Sequence, residues 1–244
     1  MLISFVKGFF YYMGKNQWFL NFRAWSVHFY TSLGLATAFF SLLAIFSGNV
    51  KLFFIFQGIS LFIDSTDGYF ARRWNVKKWA SQLDGRKLDD ITDYLNYTFL
   101  PVAFTYKFGL ITDSWLVVLV IVLITSIYGF CQTGAKTSDG FFTGFPNFWN
   151  VLVFYLYFFN WPVPVNALVM LLFSAFIFVP VKFLSYSSPV LRRSSYVLSF
   201  MYLVFLGIIV VNLNNLDIRL VWISLIGPIY YLFSALYLQF SKQS

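Results

Sequence analysis

Two runs of carboxylates carry the chemistry this chain is equipped for. Asp64, Asp67, Gly68, Ala71 and Arg72 stand in the order Asp-x-x-Asp-Gly-x-x-Ala-Arg, and twelve residues later Gly85, Asp89 and Asp93 follow as Gly-x-x-x-Asp-x-x-x-Asp. On a helix, residues three and four apart share a face. Asp64, Asp67, Gly68 and Ala71 therefore form one stripe, and Gly85, Asp89 and Asp93 a second. If the stripes face each other, four carboxylates converge. In a low-dielectric setting such a group needs cations, because desolvation and mutual repulsion both oppose the charged forms. Carboxylate oxygens are hard ligands suited to Mg²⁺ or Mn²⁺, and a pair of such ions is the clamp used to displace a leaving group at phosphorus. The expected cofactors are two divalent cations, Mn²⁺ or Mg²⁺, and the expected chemistry is phosphoryl transfer. Gly68 and Ala71 leave one groove of the first helix without bulk, so a phosphorylated ligand can approach the backbone, and Arg72 offers a planar fork for phosphate oxygens. Gly85 does the same across the gap.

The elements that hold these residues must lie in a membrane. The 244 residues are 59% hydrophobic and only 11% charged, with a mean hydropathy of +0.73, which excludes an ordinary soluble protein. Long continuous apolar runs require helices, since a closed barrel would show short alternating strands. The single cysteine, Cys131, excludes an internal disulfide and a multi-cysteine zinc site and reads as a buried, inert small residue. The net charge of +8 comes from residues between apolar spans, where anionic headgroups are the nearer partner, and no nucleic-acid motif is present.

The pattern predicts an all-α integral membrane protein of about eight transmembrane helices. Residues 1–23 mix aromatics with Lys7, Lys15 and Arg23 and read as an amphipathic interfacial segment, with no cleavable signal peptide; residues 24–244 form the polytopic catalytic domain. The first span covers 24–47 and carries His28 and Thr31 near its start; His28 reads as an interfacial hydrogen-bonded residue, with a nucleotide contact as the alternative. Spans follow at about 51–72, 85–108, 114–131, 147–159, 164–184, 194–213 and 221–240. The second acquires its carboxylates in its last turns and the third begins with them, so an antiparallel pair joined by a short connector brings both stripes to one membrane face. Between spans four and five, the glycine-rich aromatic loop 134–146 is built to fold over a ligand. Of the 17 Lys and Arg, 14 lie at the termini and in the connectors after spans two, four and six, the exceptions being Lys51, Lys107 and Arg219. The positive-inside rule places both termini and the carboxylates on the cytoplasmic side.

The two runs resemble the signature of the CDP-alcohol phosphotransferase family, and every fixed position of it is present. The interval between Arg72 and Gly85 is longer than is usual there and is similar to that of a bacterial subgroup whose acceptor is choline. Ala-Trp-Ser-Val-His at 24–28, Asp-Tyr-Leu-Asn-Tyr at 93–97 and Gly-Phe-Pro-Asn-Phe-Trp-Asn at 144–150 also look like that subgroup.

The resemblance implies the family's membrane fold, a bacterial cytoplasmic (inner) membrane, a homodimer, and transfer of a phosphatidyl group from CDP-diacylglycerol to choline with release of CMP. It implies that Asp64, Asp67, Asp89 and Asp93 hold the metals, that Asp93 is the general base, and that the nucleotide lies against Gly68, Ala71, Arg72, Gly85, Thr31 and His28. Arg72 either binds phosphate or orients Asp64. A quaternary ammonium donates no ordinary hydrogen bond and is recognised by ring faces; Tyr97, Phe145 and Trp149, with Asn96 and Asp139 as polar neighbours, are the expected choline site. Lys182, Arg192 or Arg193 would hold a lipid phosphate or simply mark topology. Three alternatives remain: another acceptor alcohol, a cation-coupled transporter and an inactive relative. Carboxylates gathered toward one face and the absence of internal repeats weigh against the transporter, and the intact signature against the inactive relative.

Overall fold

A computed structural model describes residues 15–134, 141–184 and 192–241. Asp139, named above, and residues 1–14 lie outside that set, as do the side chains of Lys182, Arg192 and Arg193. The chain begins with an antiparallel hairpin of two long helices, α1 (Lys15–Phe46) and α2 (Val50–Arg73). α1 runs through residues 23 and 24 without a break. The turn is set by Gly48, which at φ +68° adopts the left-handed conformation that closes a helix C-terminus. Around it Gly48 N–H reaches Ile45 O at 3.1 Å and Asn49 N–H reaches Ala44 O at 2.9 Å. The Asn49 side chain then caps α2 by accepting from Leu52 N–H at 3.0 Å.

α2 ends at Arg73 and Asn75 turns the chain in the left-handed region (φ 49°). The single turn α3 (Val76–Trp79) lies against α1, where Val76 and Ala80 bury with Ala24 and Val27. Asp84 caps the next helix, α4 (Gly85–Asp93), accepting from the N–H groups of Arg86 and Lys87 at 3.1 and 3.2 Å. α4 passes into a π-helical turn, Tyr94–Phe99, and then α5 (Leu100–Lys107). Pro101 accounts for the widened turn: it cannot donate to the carbonyl four residues back and its ring clashes there. Leu100 N–H accordingly bonds to Leu95 O, five residues back. What reads in sequence as one helix over 85–108 is thus continuous but contains a change of helical pitch.

The remaining helices are α6 (Leu116–Cys131), α7 (Trp149–Phe159), α8 (Val163–Phe176), α9 (Arg192–Val211), α10 (Ile218–Ser224) and α11 (Ile226–Ser241). Two three-residue strands, β1 (Phe141–Thr143) and β2 (Lys182–Leu184), pair antiparallel with Phe142 opposite Phe183. They correct one expectation: the sixth span does not continue as helix to residue 184, since α8 stops at Phe176 ahead of Pro180. The described end of the loop 134–146 pairs with β2. Cys131, expected to be buried, is exposed where α6 ends.

Helices long and apolar enough to cross a membrane, among the described residues, span Gln17–Phe46, Asp113–Cys131 and Ile218–Ala235; Trp149–Phe159, Val163–Phe176 and Phe200–Val211 are apolar but shorter. The core lies toward the end of the α1–α2 hairpin that is remote from the carboxylates. Phe53 stacks on Phe104 at 4.3 Å between centroids, and Phe54, Phe108, Phe154, Tyr157 and Phe158 close around them. Rings in such edge and offset arrangements add attraction beyond the area they bury. On α2 the eleven residues from Phe53 to Asp64 rise about 16 Å, which separates this aromatic layer from the polar end.

Candidate active site

Three helices meet at the polar end. α1 contributes Thr31 and Gly34, α2 contributes Ser60, Ile63, Asp64 and Asp67, and α4 contributes Asp89, Thr92 and Asp93, together lining a small cleft. Asp64, Asp89 and Asp93, all partly buried, place one carboxylate oxygen each within 4.8 Å of the others. The facing of the two stripes expected from their spacing is therefore present. Asp67 lines the same cleft one turn along α2 and is more deeply buried, at 7% exposure. Its Oδ2 accepts a 2.7 Å hydrogen bond from Thr31 Oγ1. Hard oxygens from three or four carboxylates, gathered along one cleft, are a donor set for Mg²⁺ or Mn²⁺ and for no soft metal.

Small residues let the helices come this close. A Cβ at Gly34 would lie 3.4 Å from Thr92 Cβ, and one at Gly85 would lie 3.0 Å from the His28 ring. The space beside Gly85 is thus taken by His28, which is buried and whose Nε2 lies 3.3 Å from Ala80 O. Through this contact His28 links α1 to the connector. Arg72 is exposed, and its guanidinium folds back over Gly68, 3.2 Å from where a Cβ there would stand. Ala71 packs beside the small cluster that seats α3 on α1.

Of the residues expected around choline, Asn96 and Tyr97 lie in the π turn beside the cleft and Phe145 and Trp149 pack on each other away from it. Tyr97 is buried (3% exposed), and its hydroxyl donates to Asp64 Oδ2 at 2.9 Å. Asn96, buried beside it, donates from Nδ2 to Gly34 O and to Thr92 O, both at 2.9 Å, clamping α4 to α1. Trp149 is fully buried and spends its indole N–H on Ser126 Oγ at 2.7 Å. Phe145 packs between Trp149 and Phe173 at 5.4 and 4.9 Å. Neither Phe145 nor Trp149 lines the cleft. The donors to Asp67 and Asp64 escaped sequence reasoning in these roles. The signals were Thr31 one turn beyond His28, and Tyr97 one turn beyond Asp93 in the stretch that Pro101 forces out of α-helical pitch.

The family model described as CDP-alcohol phosphatidyltransferase matches residues 28–229. Among similar proteins, the phosphatidylcholine synthase of Legionella pneumophila is 41% identical over 170 residues, covering 69% of this chain and 66% of that protein. That of Borreliella burgdorferi is 40% identical over 162 residues, 66% of this chain and 69% of that protein. That of Legionella bozemanae is 36% identical over 207 residues, 81% of this chain and 95% of that protein. The aligned part of the chain thus spans about two thirds of the first two relatives and nearly all of the third.

Proposed function

Since the chain belongs to the CDP-alcohol phosphatidyltransferase family, we propose that it transfers the phosphatidyl group of CDP-diacylglycerol to choline, giving phosphatidylcholine and CMP. The observation that carries the reaction type is the convergence of Asp64, Asp89 and Asp93 within 4.8 Å in the lining of a cleft. Similarity to proteins named phosphatidylcholine synthase supports choline as the acceptor.

In this reading Asp64, Asp67, Asp89 and Asp93 hold two divalent cations, Mg²⁺ or Mn²⁺. When bound, these supply Lewis-acid stabilisation of the diphosphate and of the departing nucleotide. Thr31 keeps the Asp67 carboxylate aimed into the cleft. Asp93 accepts the hydroxyl proton of choline as the choline oxygen forms its bond to phosphorus. The bond from that phosphorus to the bridging oxygen breaks, and its electron pair leaves with CMP. Arg72, free to swing out from Gly68, takes a phosphate oxygen of the nucleotide; Gly68 and Ala71 leave room for it.

The protein is a membrane protein. We place it in the bacterial cytoplasmic membrane with the cleft and both termini inside, and assign it a homodimeric state.

Purified protein in detergent, given CDP-diacylglycerol and labelled choline with and without Mn²⁺ or Mg²⁺, tests the proposal. Serine, inositol and glycerol phosphate serve as competing acceptors. Metal-dependent labelled phosphatidylcholine with equimolar CMP is the expected result. Transfer to another alcohol in place of choline would overturn the acceptor, and metal-independent transfer would overturn the role given to the carboxylates.

A further inference from the structure

The π-helical turn Tyr94–Phe99 directly follows Asp93 and reaches both helices that face α4. Asn96 Nδ2 donates to Gly34 O on α1, and Tyr97 Oη donates to Asp64 Oδ2 on α2. Tyr97 is 3% exposed, so its ring is fixed by packing, with Phe148 edge-on at 6.5 Å, and its hydroxyl has a single orientation to offer. One turn of chain therefore carries Asp93 at its start and a donor to Asp64 at its end. It couples a carboxylate of α4 to one of α2 that no backbone connection holds in register. We infer that Tyr97 is a positioning residue for the metal centre rather than a wall of a choline cage: it fixes which Asp64 oxygen faces Asp89 and Asp93. The inference rests on the metal-binding reading of the aspartate cluster. Hydrogen-bond donors to ligating carboxylates set their orientation, and losing one typically costs about 10- to 100-fold in metal affinity.

The two roles predict opposite behaviour for Tyr97→Phe, which keeps the ring face and removes only the hydroxyl. A cage wall retains its cation–π contact, so Tyr97→Phe leaves metal affinity alone, and only loss of the ring, as in Tyr97→Leu, raises the KM for choline. A positioning residue shows the reverse. The experiment is Mn²⁺ binding to purified wild-type protein and to Tyr97→Phe, read from the loss of the free-ion EPR signal without substrates. Tyr106→Phe, which removes a hydroxyl bonded to Asp113 away from the cleft, serves as control. The expected result is a midpoint raised about tenfold or more in Tyr97→Phe, unchanged in Tyr106→Phe, with the KM for choline at saturating Mn²⁺ within about threefold of wild type. In an Asp64→Asn background the same substitution should add nothing further, because Tyr97 acts through that carboxylate. Mn²⁺ binding by wild type and Tyr97→Phe with equal midpoints would overturn the inference alone. A wild type that binds no Mn²⁺ would overturn the metal centre and this inference with it. A Tyr97→Phe shift that persists undiminished in Asp64→Asn would show general loosening of the bundle and also overturn it.

Discussion

Asp93→Asn separates the electrostatics of the cluster from its chemistry. The carboxylate oxygens of Asp64, Asp89 and Asp93 lie within 4.8 Å of one another. At that spacing and an effective dielectric of about 20, each pair repels by about 3.5 kcal/mol. Asp93 takes part in two such pairs, so without metal it stands among like charges that oppose folding. The amide keeps the shape and removes the charge. Even a third of one pair term, about 1 kcal/mol, raises the melting temperature of a chain this size by about 2–4 °C. With metal the sign reverses, because the wild type gains the attraction of a full carboxylate and the variant does not. Turnover should fall by at least about 10²–10⁴-fold, the range associated with loss of a general base.

The assay is thermal unfolding in detergent, first with chelator and then with saturating Mn²⁺, beside transfer to labelled choline. In chelator Asp93→Asn should melt above wild type; on adding Mn²⁺ its upward shift should be smaller than that of wild type. A variant that melts below wild type in chelator would refute the repulsion argument. One with an unchanged Mn²⁺ shift would remove Asp93 from the metal site, and one with normal transfer would remove it from the mechanism.

Thr31→Val keeps the volume and deletes the 2.7 Å hydrogen bond to Asp67. Hydrogen bonds to charged groups are worth about 1.5–3 kcal/mol, so the Mn²⁺ activation midpoint should rise by about 10- to 100-fold, read from initial rates against metal concentration. Gly85→Val should drive a side chain into the His28 ring, which stands 3.0 Å from the Cβ position. It should lower stability by about 1–3 kcal/mol, the usual range for overpacking, and His28→Ala in the same chain should recover part of that loss in a melting experiment. Gly144→Ala should be at least as costly without touching the cleft. Its φ of +81° disfavours any side chain and its Cβ would run into Ile177 O; a melting temperature equal to wild type would contradict this.

Much of the site was legible because helix periodicity is a rigid rule. Asp64 and Asp67, and Asp89 and Asp93, stand at spacings that leave little choice of face once both segments are helices, and a short connector leaves little choice of direction. The choline residues were not legible, because side-chain partnership is decided by packing between distant segments. Trp149 could be read equally as a ring offered to a cation or as a core residue. In the structure its N–H is donated to Ser126, twenty-three residues away, and the side chain is fully buried. Tyr97 could be read as a cage wall until the π turn brought its hydroxyl onto Asp64. Pro101 announced that turn, but the rotation it imposes on residues 96 and 97 follows only from the folded geometry. The ends of the sixth span were likewise unreadable from hydropathy, since Phe183 and Leu184 are as apolar in a strand as in a helix.

The positions of the carboxylates show why so reactive a cluster can be assembled from so few polar residues. Neither Asp64 nor Asp67 is oriented by its own helix alone: Thr31 on α1 fixes one, and Tyr97, beyond α4, fixes the other. Asn96 joins α4 to α1 at Gly34, completing a triangle in which each helix is tied to the other two by a side chain within about two turns of the cleft. Three short ties of this kind hold orientation only while the helices stay parallel over their length. The stacked aromatics around Phe53 and Phe104, about 16 Å below, maintain that alignment by burying surface that contributes no chemistry. The apolar layer thus bears on the metal site through geometry: a shift of α2 against α5 at Phe53 would tilt the carboxylate end, and the hydrogen bonds of Thr31 and Tyr97 would be the first to lengthen.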